Sequence, residues 1–132
     1  MGGRGGASGF SVEQQLRIMR KNNQFPGGFA GDPEQQNKVL RAINKTYDYP
    51  ADLKQYMNST SSNGLKNVSI GTPSTDRQNP QRENVSIRAG STTLIATYTR
   101  GANDTDTTAI REGAVKFSLI NWWKRQGHIL SF

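Results

Sequence analysis

The sequence predicts an α+β fold in which N-terminal helices precede a small, mainly antiparallel sheet. Apolar residues recur with helical spacing from residue 10 to about residue 57. A polar Ser/Thr/Asn run follows at 58–64, and beyond it apolar and polar residues alternate as they do in half-buried strands. We therefore expect one domain at 10–132, helical over 10–57 and mainly β over 65–132.

Residues 1–9 are expected to form a flexible arm ahead of this domain. They include five glycines and one arginine, and they contain no β-branched or aromatic side chain. Such a segment cannot bury enough apolar surface to offset the loss of backbone entropy on folding.

A capping-box pattern opens the first predicted helix. In Ser11-Val12-Glu13-Gln14 the serine hydroxyl can accept a hydrogen bond from a free amide, and Gln14 can reach back to the cap. The helix should run to about Asn22, with an apolar face formed by Val12, Leu16 and Met19.

Two further helices are expected before the polar run. Asp32 is a suitable N-cap and Pro33 a suitable first residue for a helix that reaches about Thr46. Its buried side chains should be Val39, Leu40, Ile43 and Tyr47. A short helix should span 50–57, with inward side chains at Leu53, Tyr56 and Met57.

The predicted strands begin with an internal repeat. Residues 67–75 and 84–92 are identical at six of nine positions, and each carries alternating Val and Ile. They are interpreted as two short strands separated by a polar loop. Thr92–Arg100, rich in Thr, Ile and Tyr and followed by Gly101, is the strongest strand signal in the chain.

Residues 107–132 can be read in two ways. On a helical wheel the apolar residues spread all the way round, which would require a fully buried helix. With a period of two, Val115, Phe117 and Leu119 share one face of a strand. We favour a helical turn at 107–112, a strand at 114–120, a turn at 124–127 and a final strand at 128–132.

Composition excludes several kinds of chemistry. The chain has no cysteine, so disulfides and thiolate metal sites are excluded. It contains no Walker A sequence, no strand-borne G-x-G-x-x-G, no H-E-x-x-H and no EF-hand loop. We therefore expect no cofactor and no metal.

No apolar run approaches the length of a membrane span, and no apolar signal segment is present. A cytoplasmic protein without a membrane partner is therefore expected.

The charge balance favours a polyanionic partner. Lys and Arg number 17 against 10 Asp and Glu, which gives a formal net charge of +7 and a mean hydropathy of -0.74. Lys38, Arg41 and Lys45 fall on the polar face of the second predicted helix. The alternative is that such residues are only the solvated faces of amphipathic helices. The candidate nucleic-acid-binding residues are Arg17, Arg20, Lys21, Lys38, Arg41, Lys45, Lys124 and Arg125.

Two neighbouring indoles precede two cations. Trp122 and Trp123 lie on opposite sides of a strand or about 100° apart on a helix, so at least one should be exposed or at an interface. An exposed indole beside Lys124 and Arg125 would suit base stacking or a pocket of a protein partner. The alternative places one indole in the core and leaves the other half-covered.

His128, the one histidine, is most simply an ordinary surface residue. The catalytic alternative is a ribonuclease-type site in which His128 and either Glu83 or Glu112 act as acid and base.

The segment Met1-Gly2-Gly3-Arg4-Gly5-Gly6-Ala7-Ser8-Gly9 resembles the M-G-G-R-G-x-S-S-G start of many small proteins encoded by phages of Gram-positive bacteria. The resemblance covers about nine residues and implies genetic origin. Several such proteins carry a nuclease or ADP-ribosyltransferase domain after the arm. The S-T-S strand and E-x-E turn expected of such a transferase are not matched here, since Ser59-Thr60-Ser61 lies in a polar loop and no E-x-E occurs.

These observations favour a non-enzymatic phage accessory or anti-defence protein that binds nucleic acid or a nucleoprotein complex. The alternative is a virion or assembly component that acts through a protein partner or self-association, with its apolar 128–132 segment as a pairing edge. A small nuclease or ADP-ribosyltransferase is the third hypothesis. The expected location is the bacterial host cytoplasm or the virion.

Overall fold

The computed structural model describes residues 13, 14, 16, 17 and 32–130. The predicted glycine-rich arm lies outside these residues. Of the first predicted helix, Glu13, Gln14, Leu16 and Arg17 are described and are helical. The rest of that helix, including its capping serine, lies outside the described residues.

Helix α1 spans Pro33–Thr46, as the sequence predicts. The Asp32 side chain accepts a hydrogen bond from the Gln35 amide at 3.0 Å, and Pro33 occupies the first turn, where its missing N–H is not needed. The residues predicted to be buried, Val39, Leu40, Ile43 and Tyr47, are all in the core.

Helix α2 spans Ala51–Met57 and begins directly after Pro50. Leu53 is fully buried, while Tyr56 and Met57 are partly buried and pack against the core. The predicted short helix and its three inward residues are thereby confirmed.

Four strands form one antiparallel sheet: β1 (Val68–Ile70), β2 (Ser74–Thr75), β3 (Arg82–Ala89) and β4 (Thr92–Thr99). The central strand is β3, which pairs with β1 and β2 along one edge and with β4 along the other.

The two copies of the internal repeat pair with each other in this sheet. Val68 lies opposite Ala89, and Ile70 lies opposite Ile87. Strands β3 and β4 are joined by a hairpin whose loop begins at Gly90, at a φ of 61° that favours glycine. The predicted strand at Thr92–Arg100 is confirmed to within one residue by β4.

Helix α3 spans Asp104–Arg125 and corrects the preferred interpretation of this region. The strand predicted at 114–120 is wrong, because these residues are helical. The sheet ends at Thr99, and most of the predicted β region beyond it forms this 22-residue helix. Asn103 caps the helix by accepting from the Asp106 amide at 2.8 Å.

Burial on several sides explains why α3 is apolar nearly all the way round. The helix packs against α1 along one side and against β4 along another. Near its C-terminal end, Trp122 and Trp123 also contact Tyr56 of α2. The pattern therefore reflects a helix enclosed by its neighbours, which was the alternative that the wheel left open.

The final strand predicted at 128–132 is also wrong over the part that the structure describes. Residues 128–130 form no strand, and residues 131 and 132 lie outside the described range. Leu130 is buried in the core while Ile129 is exposed. None of the described helices combines the length and apolar character needed to cross a membrane.

Candidate nucleic-acid interface

Several of the predicted basic residues on the described helices are paired with carboxylates. Arg17 pairs with Glu13 at 3.7 Å and Lys38 with Glu34 at 3.4 Å, both across one helical turn. Arg20 and Lys21 lie outside the described residues. Each nearby carboxylate lowers the local positive potential that a polyanion would meet.

Arg41 is turned toward α3 and away from solvent. Its Nη1 lies 3.3 Å from Asp106 Oδ2, and both side chains are 29% exposed. Lys45 is exposed and forms no salt bridge with a described residue. Of the three cations predicted on this helix face, only Lys45 keeps its charge uncompensated by a described carboxylate.

Lys124 and Arg125 lie far from Arg41. Asp106, the partner of Arg41, lies near the start of α3, whereas Lys124 and Arg125 end it. Residues 106 and 124 of one helix are separated by about 27 Å along its axis. Arg41 therefore does not form one continuous patch with these two cations.

The exposed indole expected at Trp122 or Trp123 is not found. Both tryptophans are 7% exposed, and their ring centroids are 5.9 Å apart. Trp123 is also covered by His128, whose ring stacks on it at 3.6 Å with an interplanar angle of 3°. These indoles are core residues and are not available to stack on a nucleic-acid base.

The structure does not bring His128 together with the carboxylates of the ribonuclease hypothesis. His128 follows the end of α3 and lies near Asp52, whose Oδ2 is 3.9 Å from its Nδ1. Glu112 lies 13 residues before the last residue of the helix, a separation of about 20 Å along its axis. Glu83 bonds to Arg111, next to Glu112 in the chain, so it too is at the far end from His128.

A different surface, the outward side of the sheet, collects uncompensated positive charge. In β3 the side chains alternate strictly: Glu83, Val85, Ile87 and Ala89 are buried, and the residues between them face outward. Their cross-strand partners share the same side of the sheet. We call this surface the open face and define it by Arg82, Asn84, Ser86, Arg88, Thr93, Ile95, Thr97, Thr99, Ser69 and Ser74.

Arg82 and Arg88 supply the charge of the open face, and none of its defining residues is acidic. The nearest acid along the sheet edge is Asp76, whose amide donates to the Arg82 carbonyl at 2.9 Å but whose carboxylate forms no salt bridge with Arg82. Arg82 is exposed, and neither arginine forms a salt bridge with a described residue. The Arg88 guanidinium donates to the Lys66 carbonyl at 2.8 Å and to the Ser69 hydroxyl at 2.9 Å. Because these acceptors are neutral, they hold the guanidinium in place and leave its charge uncompensated.

Lys66 extends the positive charge at the Arg88 end of the sheet. It is exposed, and with Arg88 it lines a cavity of about 210 Å³. Other lining residues include Ser61, Asn63 and Ser91. Hydroxyl and amide groups beside cations are the groups that proteins use to contact phosphate oxygens.

On the buried side of the sheet, Glu83 is fully engaged and cannot neutralise the open face. Its Oε1 accepts from Arg111 Nη2 at 2.9 Å and from the Tyr98 hydroxyl at 2.7 Å, while Arg100 Nε lies 3.4 Å from Oε2. Burial alone would raise the pKa of this carboxyl, but the hydrogen bonds from Arg111 and Tyr98 and the arginine charges outweigh it, so the pKa is lowered. Burial, with the hydrogen bond to Glu83, raises the pKa of Tyr98 to about 12.

The open face was not among the predicted sites, although the sequence carries a signal for it. Arg82-Glu83-Asn84-Val85-Ser86-Ile87-Arg88-Ala89 alternates with a period of two, which places Arg82 and Arg88 on the same side. The sequence alone does not show which cations form salt bridges, because pairs such as Arg41 and Asp106 join residues that are distant in the chain.

Within the described residues, no three carboxylate or imidazole groups lie close enough together to hold a metal ion. Comparison with known proteins yields no matching family model, no matching curated protein and no matching solved structure.

Proposed function

We propose that this protein binds nucleic acid through contacts between the open face of its sheet and the phosphate backbone. The observation that carries the proposal is the pairing state of the cations. Lys38 and Arg41 of α1 face carboxylates, whereas Arg82, Arg88 and Lys66 have no carboxylate partner among the described residues. Lys45, Lys124 and Arg125 also lack such a partner, but Arg82 and Arg88 are the cations that share one face of the sheet.

The dimensions of the open face suit a backbone with several phosphates. Arg82 and Arg88 are six residues apart on one strand, a span of about 20 Å. Between and beside them lie hydroxyl and amide side chains, which can donate to phosphate oxygens. A flat surface of this kind holds no element that projects into a groove.

The chemistry of the face favours binding without sequence preference. No aromatic residue lies on it, so it lacks the stacking platform of sheets that read single-stranded bases. Contacts to phosphates position a nucleic acid but carry no base information. The protein should therefore bind RNA and DNA of different sequence with similar affinity.

Within this proposal the protein acts without catalysing a reaction, as a phage accessory or anti-defence protein whose partner is a nucleic acid or a nucleoprotein complex. Support for the binding role comes from the charge of +7 and from the open face. The phage origin depends on residues 1–9, which lie outside the described part of the chain.

Fluorescence anisotropy with labelled single-stranded RNA, single-stranded DNA and duplex DNA tests the proposal. The informative variant is Arg82→Gln/Lys66→Gln, because both side chains are exposed and neither donates a side-chain hydrogen bond to a described residue. We expect its Kd to rise by about tenfold or more, a loss of ~1.4 kcal/mol.

A matched control is Lys38→Gln/Lys45→Gln, which removes the same amount of charge from α1. This control should change the Kd much less than the sheet variant. Equal losses in both variants would mean that only net charge matters, and that result would contradict a specific interface. Competition by heparin together with no preference for nucleic acid would assign the face to polyanions in general.

A further inference from the structure

A second cavity lies on the opposite side of the sheet from the open face. Its volume is about 300 Å³, at the lower end of the range of small-molecule sites. It is bounded by Ile70 at the end of β1, by Tyr49 between α1 and α2, and by one side of α3. This cavity shares no lining residue with the open face or with the cavity beside Arg88.

Lys116 places an unpaired cation in the wall. The residue is 8% exposed and forms no salt bridge with a described carboxylate. Its Nζ donates to the main-chain carbonyls of Tyr47 and Asn44, at the C-terminal end of α1. These partners use two of the three ammonium protons, so one proton remains for a ligand.

Arg111 adds a second donor with unused hydrogens. Its Nε donates to the Tyr98 hydroxyl at 2.7 Å and its Nη2 to Glu83 Oε1 at 2.9 Å. Nη1 donates to no described residue. The two fixed bonds orient the guanidinium, which reduces the entropy lost when a ligand binds to Nη1.

The remaining wall is largely apolar. Tyr49, Ile70 and Val115 line it, and the Tyr49 ring centroid lies 5.6 Å from Lys116 Nζ. Ile70 is 51% exposed, although its cross-strand partner Ile87 is fully buried. A ligand with an apolar body would cover part of this exposed isoleucine.

The charged residues that line this cavity favour an anionic ligand. Arg111 is balanced by Glu83, and Glu112 at the rim is exposed and accepts from Asn44 Nδ2 at 3.1 Å. Asp48 and Glu112 act on Lys116 through space, but both are exposed and neither forms a salt bridge with it. The buried ammonium group therefore lies in a largely apolar pocket with Arg111 as a second donor.

From this arrangement we infer that the cavity binds a small organic carboxylate, with the carboxylate on Lys116 and Arg111 and an apolar body against Ile70, Val115 and Tyr49. The inference does not depend on nucleic-acid binding.

Isothermal titration calorimetry with benzoate tests the inference, with acetate and benzyl alcohol as partial probes. Benzoate should give saturable binding. Acetate, which lacks the apolar body, and benzyl alcohol, which lacks the charge, should each bind at least about tenfold more weakly. Equal binding of benzoate and benzyl alcohol, or no binding of benzoate, would overturn the inference.

Two isoleucines of the sheet provide a matched pair of variants. Ile70→Ala trims the cavity wall, and Ile95→Ala trims an equally exposed isoleucine on the open face. Benzoate affinity should fall by at least about threefold in the first variant, since the three carbons removed include at least the equivalent of one methylene that benzoate would bury. It should stay unchanged in the second. The same loss in both would contradict the assigned site.

Lys116→Met tests the charge directly while it keeps the apolar stem. Benzoate binding should be lost in a variant whose circular dichroism matches the parent protein. If this variant does not fold, the benzoate-induced NMR shifts of the parent protein still decide the question. They should be largest for the amides of Ile70, Val115 and Lys116, and shifts confined to other residues would refute the site.

Discussion

Gly113 of α3 lies directly against the backbone of Leu40 in α1. A Cβ atom placed on Gly113 would be 1.9 Å from the Leu40 carbonyl oxygen and 2.6 Å from its carbon. Real Cβ atoms do not approach a carbonyl so closely. The absence of a side chain at this one position therefore allows the two helices to pack together.

Replacing this glycine should destabilise the protein. In an isolated helix Gly113→Ala would gain about 1 kcal/mol from the higher helix propensity of alanine. Here the clash is with backbone, which cannot rotate away, so we expect a net loss of ~1–3 kcal/mol or more. Urea unfolding followed by circular dichroism measures the change.

Thr108→Ala is a suitable control for Gly113→Ala. Thr108 is exposed on the same helix, so the substitution improves helix propensity without a contact to α1. Its stability should stay within about 0.5 kcal/mol of the parent protein. A Gly113→Ala variant as stable as this control would contradict the close packing.

A second prediction concerns the buried carboxylate that joins β3, β4 and α3. Glu83→Gln removes the negative charge that faces Arg111 and Arg100 but keeps the size of the side chain. Removing one partner of a buried ion pair costs about 3–5 kcal/mol. Because both arginines are partly exposed, we expect the free energy of unfolding to fall by an amount at or below the lower end of that range. Denaturant unfolding at neutral pH should show the loss. An unchanged free energy of unfolding would mean that the network does not stabilise the fold.

The pH dependence of stability should depend on the same residue. Because folding lowers the pKa of Glu83 below its ordinary value of 4.5, the carboxylate stabilises the folded state at higher pH. This contribution is complete above the ordinary value and is lost as the pH falls through the lower pKa of the folded state. The difference in unfolding free energy between the parent protein and Glu83→Gln should therefore be constant above about pH 5 and should shrink below it. A difference that grew on acidification would have the wrong sign.

The environment of the tryptophans gives a spectroscopic prediction. With both indoles buried, the fluorescence of the folded protein should be quenched only weakly by iodide. Addition of single-stranded oligonucleotide should not change that quenching, because the bases cannot reach either ring. His128→Ala should increase the quenching by uncovering one face of Trp123. Strong protection from iodide on adding oligonucleotide would restore the stacking hypothesis.

Local signals were sufficient to predict much of the fold. The cap at Asp32 and the proline after it define the start of α1, and helical spacing identifies Val39, Leu40 and Ile43 as core. The repeat at 67–75 and 84–92 identifies strands, although it does not show that the two copies pair. These features depend on neighbours in the chain, which is why sequence alone reveals them.

The predictions that proved wrong concern residues whose structure depends on contacts with residues distant in the sequence. An apolar pattern all round residues 107–125 is compatible with a helix only if several elements enclose it, and a single sequence does not show the neighbours of a helix. The need for glycine at position 113 likewise depends on Leu40, which is distant in the sequence. The sequence placed the candidate interface on the helices, and the structure favours the sheet, because ion pairs such as that of Arg41 with Asp106 form only in the folded chain.

The salt dependence of nucleic-acid affinity shows whether the open face binds the phosphate backbone. For single-stranded RNA, a plot of log K against log salt concentration should be linear with a slope of about −0.7 for each phosphate that the protein neutralises. We expect Arg82→Gln/Lys66→Gln to make this slope shallower by about 1.4, while Lys38→Gln/Lys45→Gln changes it much less. An unchanged slope in the sheet variant, with the loss found in the helix variant instead, would contradict binding through the open face.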